Sequence, residues 1–322
     1  MRTRIIFNPG AGSADEVDAL HATIDRLPNV TLRETTAEGD ATRFAAEALA
    51  AGFDLIVAAG GDGTINEVVN GLSVGWERAA LGIVPLGTGN DFVRTLGIPS
   101  DVGAAVDILA QFNTRPIDVV CVESDATRYF VNVSAGGFSG LVNERLTPEM
   151  KSSWGPLAYL RAAAAALPDL TGYHTTIQFD DEEPEKLLAY NLIVANARYV
   201  AGGVPIAPQA EPDDGELDVI IVPATSLPRL ATLAPQIMLG RHLDSADITY
   251  RRARKLRVDS QPGMWFNTDG ELVGNEPATF TVLPRVLRVC VSADPGEASG
   301  TPEQSQAAPT GRPTATTDKE IS

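Results

Sequence analysis

The stretch that decides the fold is FDLIVAAGGDGTIN, residues 53–66, in which an apolar run passes directly into a glycine-rich turn. The run predicts a buried strand, and apolar residues follow at i, i+3, i+4 and i+7 from position 65, the spacing of one helix face. Gly60, Gly61 and Gly63 let the backbone approach a ligand closely, and the start of a helix attracts anions. The junction therefore predicts a phosphate-binding turn.

Asp62 is the unusual member of this turn. A carboxylate repels a phosphate unless it holds a metal ion, a water molecule or a proton in transit. Its presence favours nucleotide chemistry over passive binding.

Two further glycine-rich turns follow predicted strands, NPGAGS at residues 8–13 and PLGTGNDF at 85–92. Ligands of open parallel sheets bind at the carboxyl ends of the strands, so the three turns are expected to converge on one crevice. No GK[ST] pattern occurs and no lysine lies in these turns, which argues against a P-loop mechanism. Backbone amides, hydroxyl and amide side chains, and Mg²⁺ would then have to offset the phosphate charge.

Strand and helix patterns alternate over roughly the first 125 residues, the rhythm of a parallel sheet with helices on both faces. From about residue 129 short β-type runs take over, which predicts an antiparallel sandwich or barrel. These runs are 130–133, 175–179, 187–195, 217–222, 255–258, 278–282 and 287–291. An alanine-rich helix is predicted at 156–166.

The sequence predicts an α/β protein, an N-terminal doubly wound, Rossmann-like domain at 1–126 followed by a C-terminal β-rich domain at 127–293. Residues 294–322 hold almost no large apolar side chains and are predicted to form a disordered tail. No stretch is long and apolar enough for a membrane span, and residue 1 leads directly into a strand. We therefore expect a soluble, cytoplasmic protein.

The chain of 322 residues has 25 basic and 42 acidic residues and a formal charge of −17. This balance argues against nucleic acid as a partner and against electrostatic docking on an anionic membrane. Any contact with a membrane surface would be hydrophobic or bridged by metal ions.

Two Asp-Gly motifs lie in the β-rich half, PDDGEL at 212–217 and TDGEL at 268–272. Taken alone, an Asp-Gly pair between apolar runs is typical of a hairpin turn.

The motifs NPGAG, GGDGTINEVVNGL, PLGTGNDFVRTLGIP, APQAEPDDGELDV and TDGE together resemble the diacylglycerol kinase catalytic-domain family, in particular its soluble bacterial and archaeal lipid kinases. NAD kinases of the same superfamily share GGDGT, but the NDF, DGELDV and DGE motifs favour lipid kinases. The resemblance implies that the second domain is a β-sandwich and that a lipid meets ATP in the cleft between the domains.

Carried over by motif, the resemblance implies a set of ATP contacts: Asn8, Pro9, Gly10, Ala11, Gly12, Thr35, Gly60, Gly61, Asp62, Gly63, Thr64, Ile65, Asn66 and Thr88. It implies a structural Mg²⁺ at Glu211, Asp214 and Glu216. It also places the general base on Asp269, with Glu271 nearby, and makes Asp62 the link between the nucleotide magnesium and the second domain. Leu157, Tyr159 and Leu160 are candidates for an apolar wall beside the lipid.

The function predicted on this basis is an ATP- and Mg²⁺-dependent kinase of a lipid such as diacylglycerol, peripheral to the membrane. Two alternatives remain open. One is a kinase of another alcohol, such as a sphingoid base, an isoprenoid or ether lipid, or NAD; the other is a catalytically silent nucleotide sensor. A homodimer is also left open, because sheet edges can pair in such folds.

Overall fold

The computed structural model describes residues 1–138, 170–275 and 277–293. The helix predicted at 156–166, with Leu157, Tyr159 and Leu160, lies outside these described residues, as does the tail predicted at 294–322. Among the described helices, none combines the length and the hydropathy that crossing a bilayer requires.

The N-terminal domain alternates strands and helices as predicted. Its strands form a parallel sheet in the order β2-β1-β3-β4, with α2 and α3 packed on one face and α1 and α5 on the other. The elements are β1 Thr3–Phe7, α1 Ala14–Thr23, β2 Val30–Glu34, α2 Asp40–Ala50, β3 Leu55–Gly60, α3 Asp62–Leu72, β4 Ala80–Pro85, α4 Asp91–Leu96 and α5 Val102–Gln111. The doubly wound prediction is confirmed.

The second domain is mainly antiparallel. Its elements are β5 Thr114–Glu123, β6 Thr127–Phe130, β7 Val133–Gly137, β8 Tyr173–Phe179, β9 Glu185–Ala195, β10 Leu217–Pro223, α6 Leu227–Met238, β11 Thr249–Ala253, β12 Lys255–Gln261, β13 Phe266–Thr268, β14 Glu271–Leu272 and β15 Ala278–Cys290.

Strand β9 joins two layers of this domain. Its first half pairs with β8, and its second half pairs with β7 and β10. The layers enclose a core that includes Phe130, Phe179, Leu192, Phe266 and Phe280. This sandwich-like arrangement confirms the predicted fold class.

The last strand ties the two domains together. The sequence predicts separate strands at 278–282 and 287–291, but the structure has one strand, β15, with a register shift between Leu283 and Leu287 where it pairs with β5. Pro284 lies at this irregularity, where its missing N–H interrupts no ladder bond. Beyond the shift, Arg288 and Val289 pair parallel to β4, so β15 extends the N-terminal sheet.

The sequence patterns missed α6 and the strands β5, β11, β13 and β14, and they reached β6 and β7 only at Phe130 and Val133. Pro228 in the first turn of α6 and Pro235 inside it weaken the helix signal. The run predicted as one strand at 130–133 is broken after Phe130, because the N–H groups of Val131 and Asn132 donate to the Asp269 side chain instead of to a neighbouring strand.

Candidate functional site

One cleft of about 830 Å³ lies where the two domains meet. Its polar end is formed by the glycine turns after β3 and β4, together with Asp62, Asp91 and Asp269. Its other end is apolar and belongs entirely to the second domain.

The glycine turns after β3 and β4 touch each other at the polar end. A Cβ atom on Gly87 would lie 2.6 Å from the Cα of Gly61, and one on Gly60 would overlap the Thr64 hydroxyl. Glycine is therefore required for the two turns to close on each other. Their exposed backbone, with Thr88, faces the cleft.

The turn after β1 joins this arrangement through a side chain. Asn8 Nδ2 donates to Thr64 Oγ1 at 3.3 Å, and Asn8 Oδ1 accepts the Gly10 N–H at 3.0 Å. Ser13 then caps α1 in a reciprocal capping box with Glu16. Ala11 in this turn lines the cleft.

Asp62 connects two of the turns. Its Oδ1 accepts the N–H of Asp91 at 2.9 Å and of Phe92 at 3.4 Å, which are among the unpaired donors at the start of α4. Burial raises the pKa of Asp62, and the nearby Asp91 carboxylate raises it further. Two carboxylates thus lie close together at the polar end.

Asp91 extends this connection into the second domain. Its side chain is 5% exposed, and its oxygens accept the N–H groups of Gly202 at 3.0 Å and Gly203 at 2.7 Å. Burial raises the pKa of Asp91. The NDF motif contains Asp91, but the sequence patterns predict no role for this residue. The signal that points to it is its position between a glycine turn and the apolar start of a helix.

Asp269 lies at the opposite wall of the polar end. Its Oδ1 accepts the Val133 N–H at 2.8 Å, and its Oδ2 accepts the N–H groups of Val131 and Asn132 and the side-chain amide of Asn66. Burial raises the pKa of Asp269 to about 6, against the opposing effect of these donors. The turn in which it lies has positive φ at both Asp269 and Gly270.

Asn66 joins the GGDGTIN and TDGE motifs directly. Its Nδ2 lies 3.2 Å from Asp269 Oδ2. One turn further along α3, Asn70 pairs through its side chain with both the N–H and the carbonyl of Tyr129. Helix α3, which begins at the glycine turn after β3, therefore helps to fix the position of Asp269.

Glu271 lies beside the cleft lining. Its Oε2 is 3.8 Å from Arg128 Nε, and burial raises the pKa of its carboxyl. Asp269 lines the cleft and Glu271 does not, which separates two residues that the sequence could not rank.

The apolar end is built on the outer face of the layer that contains β7 and β9. Helix α6 packs on that face through Leu230, Leu233 and Ile237. The apolar lining comprises Val133, Ala135, Phe138, Ile193, Val200, Val204, Ile206, Ala234, Ile237 and Met238. The cleft therefore joins glycine-rich turns and carboxylates at one end to an apolar pocket at the other.

Residues 2–122 match the family model of the diacylglycerol kinase catalytic domain, and residues 131–291 match the YegS C-terminal NAD kinase beta sandwich-like domain. A diacylglycerol kinase of Staphylococcus haemolyticus is 35% identical over 297 residues, which cover 90% of this chain and 88% of the relative. The chain belongs to the diacylglycerol kinase family. It is a lipid kinase.

Other relatives agree with this assignment. A diacylglycerol kinase of Bacillus subtilis is 34% identical over 302 residues, 92% of the kinase and 98% of the relative. A crystal structure of a diacylglycerol kinase from Bacillus anthracis str. Sterne has a TM-score of 0.70 at 25% identity, covering 91% of the kinase and 97% of that chain. An NAD kinase from Archaeoglobus fulgidus, solved with ATP, has a TM-score of 0.51 at 13% identity and shares the fold.

The predicted ATP contacts of the kinase fall into two groups. Ala11, Gly61, Asp62, Gly63 and Thr88 line the cleft. The others are not part of the lining, namely Asn8, Pro9, Gly10, Gly12, Thr35, Gly60, Thr64, Ile65 and Asn66. Of these, Ile65 packs in the helix-sheet core and donates its N–H to the Gly61 carbonyl, and Thr35 donates its N–H to the Phe7 carbonyl at the end of β1. These two shape the wall of the site.

The acidic loop predicted to hold a structural Mg²⁺ in the kinase lies away from the cleft lining. Arg252 Nη2 ion-pairs with both Asp214 and Glu216, so one guanidinium already offsets part of the charge of these two carboxylates. Among the described residues, no group of three or more histidine, cysteine, aspartate or glutamate side chains is arranged to hold a metal ion. As they lie, Glu211, Asp214 and Glu216 do not fit the ion, and that site remains a prediction.

Proposed function

We propose that the kinase transfers the γ-phosphate of ATP to the hydroxyl of a diacylglycerol-like lipid. The observation that carries this proposal is the cleft in which glycine turns and carboxylates meet an apolar lining. ATP would place its phosphates against the amides of the turns after β3 and β4, near the start of α3. The hydroxyl of the lipid would lie beside Asp269, with its acyl chains toward α6.

Asp62 and Asp91 fit a magnesium ion better than any other pair of side chains that line the cleft. Both are carboxylates, the oxygen ligands that Mg²⁺ prefers; burial raises the pKa of each, and the Asp91 carboxylate raises the pKa of Asp62 further. When bound with ATP, the ion would offset charge on the transferring phosphate. In the proposal, Asp62 would hold it, since both Asp91 oxygens already accept N–H bonds.

Asp269 is proposed as the general base. One of its oxygens, Oδ1, accepts a single described hydrogen bond, which leaves a lone pair for the proton of the lipid hydroxyl. A pKa of about 6 keeps the carboxylate ionised at neutral pH while bringing its basicity close to the working pH. Glu271 would act through charge near Arg128 and not by touching the hydroxyl.

The acceptor is proposed to remain in a membrane while it reacts. Each methylene group drawn from a bilayer into water costs about 0.8 kcal/mol, so two acyl chains cannot be carried through solvent. The apolar end of the cleft is suited to a chain segment and poorly suited to the polar groups of NAD. We therefore propose transient contact of the kinase with a membrane surface, and the homodimer stays a prediction.

The test uses the purified kinase with radiolabelled ATP and MgCl₂ and one acceptor at a time in phosphatidylcholine vesicles: diacylglycerol, a sphingoid base, an isoprenoid alcohol or an ether lipid. NAD is supplied in solution. Labelled product is identified by mass spectrometry, and EDTA removes the metal. We expect label in diacylglycerol and none after EDTA. Label confined to NAD would contradict the proposal, and ATP binding without any labelled acceptor would favour the nucleotide sensor.

A further inference from the structure

The cleft lies on a sheet face that is covered at one end and open at the other. An in-register row crosses five strands of this face, comprising Leu272, Asn267, Ala135, Ile193 and Ile220. Residues directly opposite each other on neighbouring strands point to the same face of a sheet. Three of these five residues line the cleft, so the Leu272 side chain, at the end of the row, lies on the same face of the sheet as the cleft.

Of the described helices, α6 covers one end of this row. It packs with Ile193 and Ile220 in one apolar cluster, and Leu272 is not part of that cluster. Leu272 lies in the two-residue strand β14 and is 64% exposed. The open end of the face is therefore apolar and in contact with solvent.

Trp265 adds a large aromatic side chain to the open end. Its neighbours Met264 and Phe266 are 1% and 2% exposed and lie in the sandwich core. Because side chains alternate along extended backbone, Trp265 points away from that core, to the side of Asn267, and it is 49% exposed.

Leu239 brings an exposed apolar side chain from α6. It follows Met238, which lines the cleft, and it is 67% exposed. Leu239 follows α6, Trp265 precedes β13 and Leu272 lies in β14, so the three side chains flank the cleft lining from different elements. We call them the apolar rim. Large apolar side chains exposed together beside a binding cleft mark an interaction surface.

We infer that the apolar rim is the bilayer-docking surface of the kinase and inserts among neutral lipids, so that the acceptor enters the cleft without leaving the membrane. This inference rests on the proposed function. The charge of the chain indicates which surface binds to the rim. Because the formal charge is −17, an anionic membrane would repel the protein, so the contact is made by inserting apolar side chains among neutral lipids. Tryptophan is also enriched where proteins meet the bilayer interface.

The experiment compares the wild type with the triple variant Leu239→Ser/Trp265→Ser/Leu272→Ser. Binding to phosphatidylcholine vesicles is measured by co-sedimentation in dilute buffer and in 1 M KCl. Activity is measured on long-chain diacylglycerol in the vesicles and on a short-chain diacylglycerol kept below its aggregation concentration. The matched control is Val74→Ser. Val74 is 66% exposed, and it follows the C-terminal end of α3, whereas Asp62 lies at the N-terminal end of that helix.

We expect wild-type binding to persist in 1 M KCl. The triple variant should bind vesicles at least about tenfold more weakly and lose activity on vesicle lipid in proportion, since bound apolar area sets this affinity. Its activity on the short-chain lipid should be unchanged, and Val74→Ser should match the wild type throughout.

Three results would overturn the inference: undiminished vesicle binding of the triple variant, equal loss of activity on both lipid forms, or a wild-type dimer in solution that the variant no longer forms. Failure of the proposed function is a separate result. In that case the wild type would phosphorylate neither lipid form, while vesicle binding would still decide the role of the rim.

Discussion

At the scale of single residues, the site depends on carboxylates that accept backbone N–H groups. Asp62 accepts N–H groups at the start of α4, Asp91 accepts those of residues 202 and 203, and Asp269 accepts those of residues 131–133. These bonds satisfy backbone donors at the start of α4, at the start of β7 and in two loops, and the Gly203 N–H is shared with the Val200 carbonyl. The acidic residues of the cleft therefore stabilise its walls as well as carrying charge.

Replacement of the proposed base gives the sharpest test. Asp269→Asn keeps the shape and removes the basic oxygen, so we expect kcat to fall by about 10²- to 10⁴-fold. The affinity for a fluorescent ATP analogue should be unchanged. The matched variant is Glu271→Gln, which should keep most of the activity. The reverse outcome, loss in Glu271→Gln alone, would move the base to Glu271.

The pH dependence of the reaction follows from the same group. A base works only when deprotonated, and the pKa of Asp269 is raised to about 6 by burial. We therefore expect kcat/KM on the short-chain lipid to fall about tenfold per pH unit below pH 6 and to be level above it. Initial rates between pH 4.5 and 8, with unfolding followed in parallel, check this. A level profile down to pH 4.5 would contradict it.

Asp91 is expected to hold the loop of the second domain. Asp91→Ala removes the acceptor of the Gly202 and Gly203 N–H groups and should lower the free energy of unfolding by about 1.5–3 kcal/mol. It should also raise KM for the lipid, because that loop lines the apolar end. Urea unfolding and kinetics measure both effects. Asp101→Ala is the control: it removes a helix cap on α5 remote from the cleft, which costs about 1 kcal/mol and should leave KM unchanged.

At the scale of elements, helix α3 determines the position of the site. It begins at Asp62 in the glycine turn after β3, brings Asn66 within hydrogen-bond distance of Asp269 and packs along α2. The close approach to α2 depends on Gly71, where an added Cβ would lie 2.6 Å from the Cβ of Ala45 and would overlap the carbonyl of Thr42. The glycine is there for packing and not for backbone freedom.

Gly71→Ala should therefore destabilise the kinase although alanine is the better helix former. Overpacking costs about 1–3 kcal/mol, more than the gain of about 1 kcal/mol in helix propensity. The matched control is Gly103→Ala in α5, where the nearest atom to an added Cβ is a side-chain oxygen at 3.3 Å. That variant should be neutral or slightly stabilising. The unfolding temperatures of the two variants are compared with that of the wild type. Equal changes in both variants would show that close packing against α2 does not explain the presence of Gly71.

At the scale of the whole molecule, charge is the dominant feature. A formal charge of −17 destabilises the compact state through self-repulsion, which salt screens over about 3 Å at 1 M ionic strength. We expect the unfolding temperature to be higher in 1 M KCl than in dilute buffer. Sorbitol at matched osmolality is the control for a general solvent effect. Equal unfolding temperatures in dilute buffer and in 1 M KCl would count against this reading.

The extent of prediction from sequence differed between the two domains. Strands β1, β3 and β4 were predicted because each contains an apolar run that leads into a glycine-rich turn. Helix α6 was missed because Pro228 and Pro235 break its pattern, and β15 was divided because Pro284 interrupts it. Local signals of this kind report the backbone of a segment and not the neighbours that it will find.

The sequence by itself determined the glycine-rich turns, the doubly wound order of the first domain and the motifs that carry the family resemblance. These depend on local spacing, on glycine and on runs of apolar residues. Only the tertiary structure decided that Asp269 faces the cleft and Glu271 does not, that Asp91 links the domains, and that α6 forms the apolar end. Those facts depend on which distant segments pack together, because burial and hydrogen-bond partners are set by the whole fold.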